Sequence, residues 1–105
     1  MASTKLIVAY PQPKDAEAFD AVYEKEHVPM AVAKLAGKTK IVATKVLQAG
    51  VPPFYRIAEV HFPSMEALQR CAESTGGKET LAHAVKISSG GPPLIMIAEE
   101  ETFTF

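Results

Sequence analysis

The side chains in this sequence best suited to moving protons are three histidines, His27, His61 and His83, together with the tyrosines and carboxylates near them. An unperturbed imidazole titrates near neutrality and can serve as acid or base. His27 stands just before Val28-Pro29. Proline cannot donate to the carbonyl of Lys25 and pushes Val28 away from helical geometry, so a helix should kink or restart there and leave the His27 ring at a helix end. At such an end a histidine either does acid–base chemistry or caps free helix carbonyls. Glu26, one position away, is either buried with raised proton affinity or, more simply, turned outward by the kink.

Glu59 and His61 belong to an alternating set, Tyr55, Ile57, Glu59, His61, that mixes polar with apolar groups; the intervening Ala58, Val60 and Phe62 are all apolar. Side chains alternate strictly along an unbulged strand. The apolar set should therefore face helices and the mixed set the opposite side, as a pocket wall or as ordinary solvated strand residues. No metal is expected. The three histidines are far apart, none forms a His-x3-His or two-histidine-one-carboxylate cluster, and Cys71 stands alone, read as a small buried hydrophobe. Gly76-Gly77 and Gly90-Gly91 lack the P-loop and dinucleotide fingerprints and read as turns.

The elements that must position these groups follow from apolar spacing. Lys5 to Tyr10 is apolar or amphipathic on both alternating sets, as a central strand would be. Pro11 and Pro13 end it, Asp15 is a helix N-cap and Glu17 suits the first turn. Phe19, Val22, Tyr23, Met30 and Ala33 form the stripe that should lie on a sheet, and Gly37 is placed for a left-handed C-cap. A long second strand is expected over Lys38 to Gln48, a turn over Ala49 to Pro53, and a third strand over Phe54 to Phe62. Pro63 and Ser64 cap a helix carrying Met65, Leu68 and Ala72, expected to end in the glycines of Ser74 to Lys78. Leu81, Ala84 and Val85 suggest a further turn or two of helix before the last strand begins at Leu94. The order β-α-β-β-α-β on one core is the ferredoxin-like arrangement, an α+β fold with an antiparallel sheet.

Composition bounds the partners. A chain of 105 residues, 48% hydrophobic, can bury one core, so one domain over residues 1–105 is expected. With 11 basic and 12 acidic residues the formal net charge is -1, which gives no pull toward nucleic acid or anionic lipid. The same topology serves RNA-recognition domains, but the strand-three positions that carry their stacking aromatics hold Ile57 and Glu59. No segment approaches membrane-spanning length, Met1 to Tyr10 lacks a signal's basic and cleavage regions, and one cysteine suits a reducing compartment, so the cytoplasm is the expected location.

Tyr10-Pro11, Phe19-Asp20-Ala21-Val22-Tyr23 and His27-Val28-Pro29-Met30, supported by Ile57-Ala58-Glu59-Val60 and Gly90-Gly91, resemble the pattern of the EthD (ethyl tert-butyl ether degradation) family across nearly the whole chain. The resemblance implies a dimeric α/β barrel, in which the bare sheets of two subunits meet and each half keeps an apolar cavity between sheet and helices. It places the family's His-x-Pro motif on His27. It also implies a small-molecule-processing protein, either a cofactor-free isomerase, cyclase, decarboxylase or monooxygenase-like enzyme acting on an apolar or aromatic oxygenated compound, or a non-enzymatic binding or accessory protein. On this reading His27 is the acid–base residue, and Tyr10, Tyr23, Glu59 and His61 shape the substrate cavity. No cofactor is predicted, although haem on one axial histidine stays open. The homodimer should use the bare sheet faces, with the lysines of the second strand and Glu99 to Glu101 of the last favouring strand pairing, and with Phe103 and Phe105 anchoring the tail on the partner.

Overall fold

The computed structural model describes residues 3–105, so expectations for Met1 and Ala2 lie outside the described residues. Strand β1 (Ser3–Tyr10) leads into helix α1 (Ala16–Val22), a π-helical turn (Tyr23–His27) and helix α2 (Val28–Lys34). Strands β2 (Lys40–Lys45) and β3 (Arg56–Phe62), helices α3 (Met65–Glu73) and α4 (Thr75–Ile87), and strand β4 (Leu94–Glu100) follow. The sheet order is β2-β3-β1-β4 with every neighbour antiparallel, which is the ferredoxin-like α+β fold. Asp15 Oδ1 accepts from the Ala18 amide at 3.1 Å and Ser64 Oγ from the Ala67 amide at 3.1 Å, so both expected N-caps form.

The proline at position 29 does not break the helix. Val28 keeps helical angles, φ −61° and ψ −47°, and its amide donates to the Tyr23 carbonyl five residues back. This wider turn places Pro29 in the first turn of α2, where a missing N–H costs nothing. The register changes with it. The buried residues of this segment are Phe19, Tyr23, His27, Ala31 and Leu35, one every four positions. In an uninterrupted α-helix such a row drifts round the axis by roughly 40° per step, and the π turn takes part of that drift back. Ala33, expected on the buried stripe, and Glu26 are both exposed.

Two further boundaries differ from the sequence reading. Strand β2 is six residues long, not eleven. Its ladder runs out where β3 begins at Arg56, and Lys38 instead donates to the Val32 and Leu35 carbonyls at the end of α2. Gly76 and Gly77 do not close a helix but open α4, whose first turn Ser74 caps by accepting from the Gly77 amide at 3.0 Å. A Cβ at Gly77 would overlap the Cys71 carbonyl, so this tight α3–α4 junction requires glycine. Gly37, at φ 87°, adopts the left-handed conformation expected after α2.

Leu6, Val8 and Tyr10 of β1 and Ala58, Val60 and Phe62 of β3 lie on the helix-covered face and join Phe19, Tyr23, Leu35, Leu68 and Ala84 in the core. Since β2 and β4 form opposite edges of the sheet, their lysines and glutamates do not pair with each other within the subunit. Among the described residues no helix is long and apolar enough to cross a membrane.

Candidate acid–base site between helices and sheet

Tyr10 ends β1 on the covered face and is fully buried, while the π turn brings His27 over it. The rings of Phe19, Tyr23 and His27 close round Tyr10 edge to face, at centroid distances of 5.2, 5.6 and 6.3 Å. A salt-bridge network holds one wall in place. Asp20 accepts from Tyr55 Oη at 2.7 Å, Arg56 at 3.1 Å and Lys45 at 3.3 Å, and the Arg56 guanidinium lies 5.0 Å from the centroid of the Tyr23 ring. Burial opposes ionisation of Asp20, but these three donors outweigh it and lower its pKa.

His27, only 7% exposed, uses both ring nitrogens. Nε2 lies 3.3 Å from Tyr10 Oη, and Nδ1 lies 2.9 Å from Nδ1 of His83 on α4. Neither nitrogen caps a helix carbonyl, so the plain capping role open to a histidine in this position is not the one it has. The His27 and His83 rings are within 14° of parallel with centroids 5.1 Å apart. Given the short Nδ1–Nδ1 distance, this spacing is that of two imidazoles joined nose to nose in nearly one plane, which is hydrogen-bonding geometry and not face-to-face stacking. Burial, and then the neighbouring His83, lower the His27 pKa to about 4, so the ring is neutral at physiological pH. Burial and the nearby Tyr23 raise the Tyr10 pKa, so its hydroxyl stays protonated. In the tautomer where Tyr10 O–H donates to His27 Nε2, the neutral ring carries its proton on Nδ1 and donates to His83; in the other, Nε2–H donates to Tyr10 Oη and Nδ1 accepts from His83.

The Tyr10 and His27 rings face a cavity of about 40 Å³ walled by Leu6, Val8, Val28, Ala31, Val60 and Leu81. Tyr23 lines it too. A space of this size holds about two or three waters or the equivalent in small-molecule atoms. Sites for drug-sized ligands run from about 300 to 1,000 Å³. A haem does not fit there, and both nitrogens of its candidate ligand are already engaged. Among the described residues no three His, Cys, Asp or Glu side chains come together as a metal site.

Glu59 and His61 are not part of this cavity. Strand alternation turns them, with Lys5, to the uncovered face, correcting the expectation that one site gathers all five residues. There Lys5 Nζ donates to Glu59 at 2.9 Å and to Glu100 at 3.0 Å, and His61 Nδ1 lies 3.1 Å from Ser3 Oγ. The cavity therefore joins Tyr10, Tyr23 and His27 only. His83, treated in the sequence only as a metal ligand candidate, completes the group. Nothing in its spacing from His27 announces the pairing, because the two residues are 56 positions apart and meet only when α4 packs against the π turn.

Residues 11–86 match the EthD domain model. The chain is 28% identical over 98 residues to an uncharacterized 11.0 kDa protein from the thcB-thcC intergenic region of Rhodococcus erythropolis, covering 91% of this chain and 94% of that one. The crystal structure of an ethyl tert-butyl ether degradation (EthD) family protein from Bacillus halodurans C-125 superposes with a TM-score of 0.83 at 30% identity, over 94% of this chain and 99% of that one. A dimeric protein of unknown function and ferredoxin-like fold from Bacteroides fragilis superposes with a TM-score of 0.64 at 14% identity, over 96% of each chain.

Proposed function

The chain belongs to the EthD family, and we propose that it processes a small, apolar, oxygenated molecule by acid–base chemistry in the cavity beneath its helices. The observation that carries this reading is the Tyr10 hydroxyl held 3.3 Å from a neutral His27 imidazole at the wall of a mostly apolar cavity. A neutral imidazole accepts a proton, a protonated phenol donates a hydrogen bond to a substrate oxygen, and apolar walls select against charged compounds. The Tyr23 ring lines the same cavity. The second reading, a carrier that binds without chemistry, draws support from the carboxylate of Glu59 lying on the far face, which leaves the cavity without an acidic side chain of its own. The paired titratable groups favour the enzyme.

The functional unit on this reading is a homodimer joined through the uncovered sheet face. Leu94 and Met96 of the edge strand β4, which register with Ala9 and Ile7 and so point to that face, are 47% and 42% exposed, and Phe103 and Phe105 lie open beyond the strand. A single chain leaves that apolar surface in water. The Bacteroides fragilis protein of the same fold is dimeric.

The test is a panel of ketones, aldehydes and ethers of about three or four non-hydrogen atoms, the size the cavity admits, incubated with the protein in D2O and followed by proton NMR. Conversion or deuterium wash-in by the wild type, reduced about 10²- to 10⁴-fold in His27→Gln, supports the enzyme. Shifts of Tyr10, Tyr23 and His27 resonances without any conversion support the carrier. No shift at these residues with any compound sinks both.

A further inference from the structure

His27 is a partition. Its Nε2 edge faces Tyr10 and the cavity, whereas its Nδ1 edge faces His83, which does not line the cavity and is partly exposed. A buried base that takes a proton must pass it on, and an imidazole does this by accepting at one nitrogen while releasing at the other. We propose that His83 is the positioning and proton-exchange residue of this site, the port through which His27 trades its proton with water. This rests on the acid–base reading of the cavity and deepens it.

The proton balance is simple. From the tautomer protonated at His27 Nδ1, a proton arriving from the cavity forms a new N–H bond at His27 Nε2. The N–H bond at His27 Nδ1 breaks as its proton moves to His83 Nδ1, and His83 releases its Nε2 proton to water. Both rings end neutral in the opposite tautomer, one proton has left the cavity, and nothing is oxidised or reduced. The surroundings keep His83 available for this. Glu79, one turn earlier on α4, is held by Lys34 of α2, and His27 is the only hydrogen-bond partner recorded for His83 among the described residues. The groups facing His27 are thus Tyr10 from β1, Tyr23 from its own π turn and His83 from α4. Among the described residues no carboxylate is hydrogen-bonded to either imidazole to trap the proton midway.

The experiment uses the full chain labelled with 15N at histidine. Two-bond nitrogen–proton correlation near neutral pH should find one, and only one, of the two Nδ1 atoms protonated. Exchange of the His27 ring proton with water, read by saturation transfer, should slow by about tenfold or more in His83→Phe. His83→Gln separates relay from scaffold, since its amide oxygen still accepts from His27 but cannot hand a proton onward. Slow exchange in His83→Gln with the His27 tautomer kept supports the port, and it decides the matter alone if the phenylalanine variant does not fold. Both Nδ1 atoms unprotonated, exchange unchanged in His83→Gln, or exchange slowed by Phe but restored by Gln overturns it. These readouts need no substrate, so a failed compound panel counts against the proposed function and leaves the port standing.

Discussion

On the helix-covered face of the sheet, Leu6, Val8, Tyr10, Ala58, Val60 and Phe62 are sealed by aromatic and aliphatic side chains of the same chain. On the other face, Lys5 is clamped between Glu59 and Glu100, while the neighbouring edge strand leaves Leu94 and Met96 half in water. The part of the covered face that lies under the helices is closed within one subunit and holds Tyr10 and His27, while Ile95 and Ile97 of β4 reach its open edge. The uncovered face has an ionic centre beside an apolar edge, a pattern that suits a second protein surface better than bulk solvent. Placement on one face or the other thus separates candidate chemistry from candidate assembly, and it divides the histidines accordingly: His27 on one side of the sheet and His61 on the other.

The largest expected effect tests the completeness of the covered face. Phe19→Ala empties a site packed against Tyr10, Tyr23 and Tyr55 and should cost about 3–5 kcal/mol in urea unfolding. Met96→Ala, on the uncovered side, should cost well under about 1 kcal/mol at concentrations where the chain is monomeric. Equal losses would erase the distinction between the faces.

Acidification is expected to act through the covered face as well. The folded-state pKa of His27 is lowered to about 4, below the ordinary histidine value, so the unfolded chain binds the extra proton first. Stability is therefore full above the unfolded pKa and is lost as pH falls from about 6.5 toward 4, by roughly 3 kcal/mol. Thermal melts across that window should show the drop, and His27→Gln should flatten it. A slope unchanged in the variant would move the cause to other groups.

Asp20→Asn probes the network that props the Tyr23 wall. It should cost about 2 kcal/mol, because Arg56 is buried and keeps Glu24 as its one carboxylate partner among the described residues. Asp20 has its pKa lowered by Tyr55, Arg56 and Lys45, so its share of stability is present above its unfolded pKa and is lost only at pH below the His27 window. Denaturation of the variant by urea, with the Tyr23 resonances as a local readout, checks both the cost and its location.

The smallest effect on the single chain, and the sharpest on assembly, is expected from deleting residues 102–105. Phe103 and Phe105 make little difference to a lone subunit because they are exposed in it. Their loss should weaken the dimer by about tenfold in light scattering, roughly the worth of one or two buried aromatic anchors at an interface. A wild-type chain that sediments as a monomer at micromolar concentration would remove the assembly role from the uncovered face.

Much of this architecture follows from local chemistry in the sequence. Alternation in Ala58, Val60 and Phe62 decides which side of β3 is buried, Asp15 and Ser64 start their helices because a short acceptor satisfies a free amide, and Gly37 supplies the left-handed turn after α2. The run Phe19, Tyr23, His27, Ala31, Leu35 was also there to be read, but its interval of four matches no uninterrupted α-helix, and only the π turn explains it. Other features depend on elements distant in sequence. β2 is as long as the partner strand available to it, and Gly76-Gly77 opens a helix because α3 and α4 meet too closely for side chains. Glu59 and His61 are separated from His27 by the thickness of the sheet. The same packing decided the site: His27 could be picked out by its own neighbours in the chain, whereas its hydrogen bonds to Tyr10 and His83 exist only because three elements converge on one ring, and no local spacing encodes that convergence.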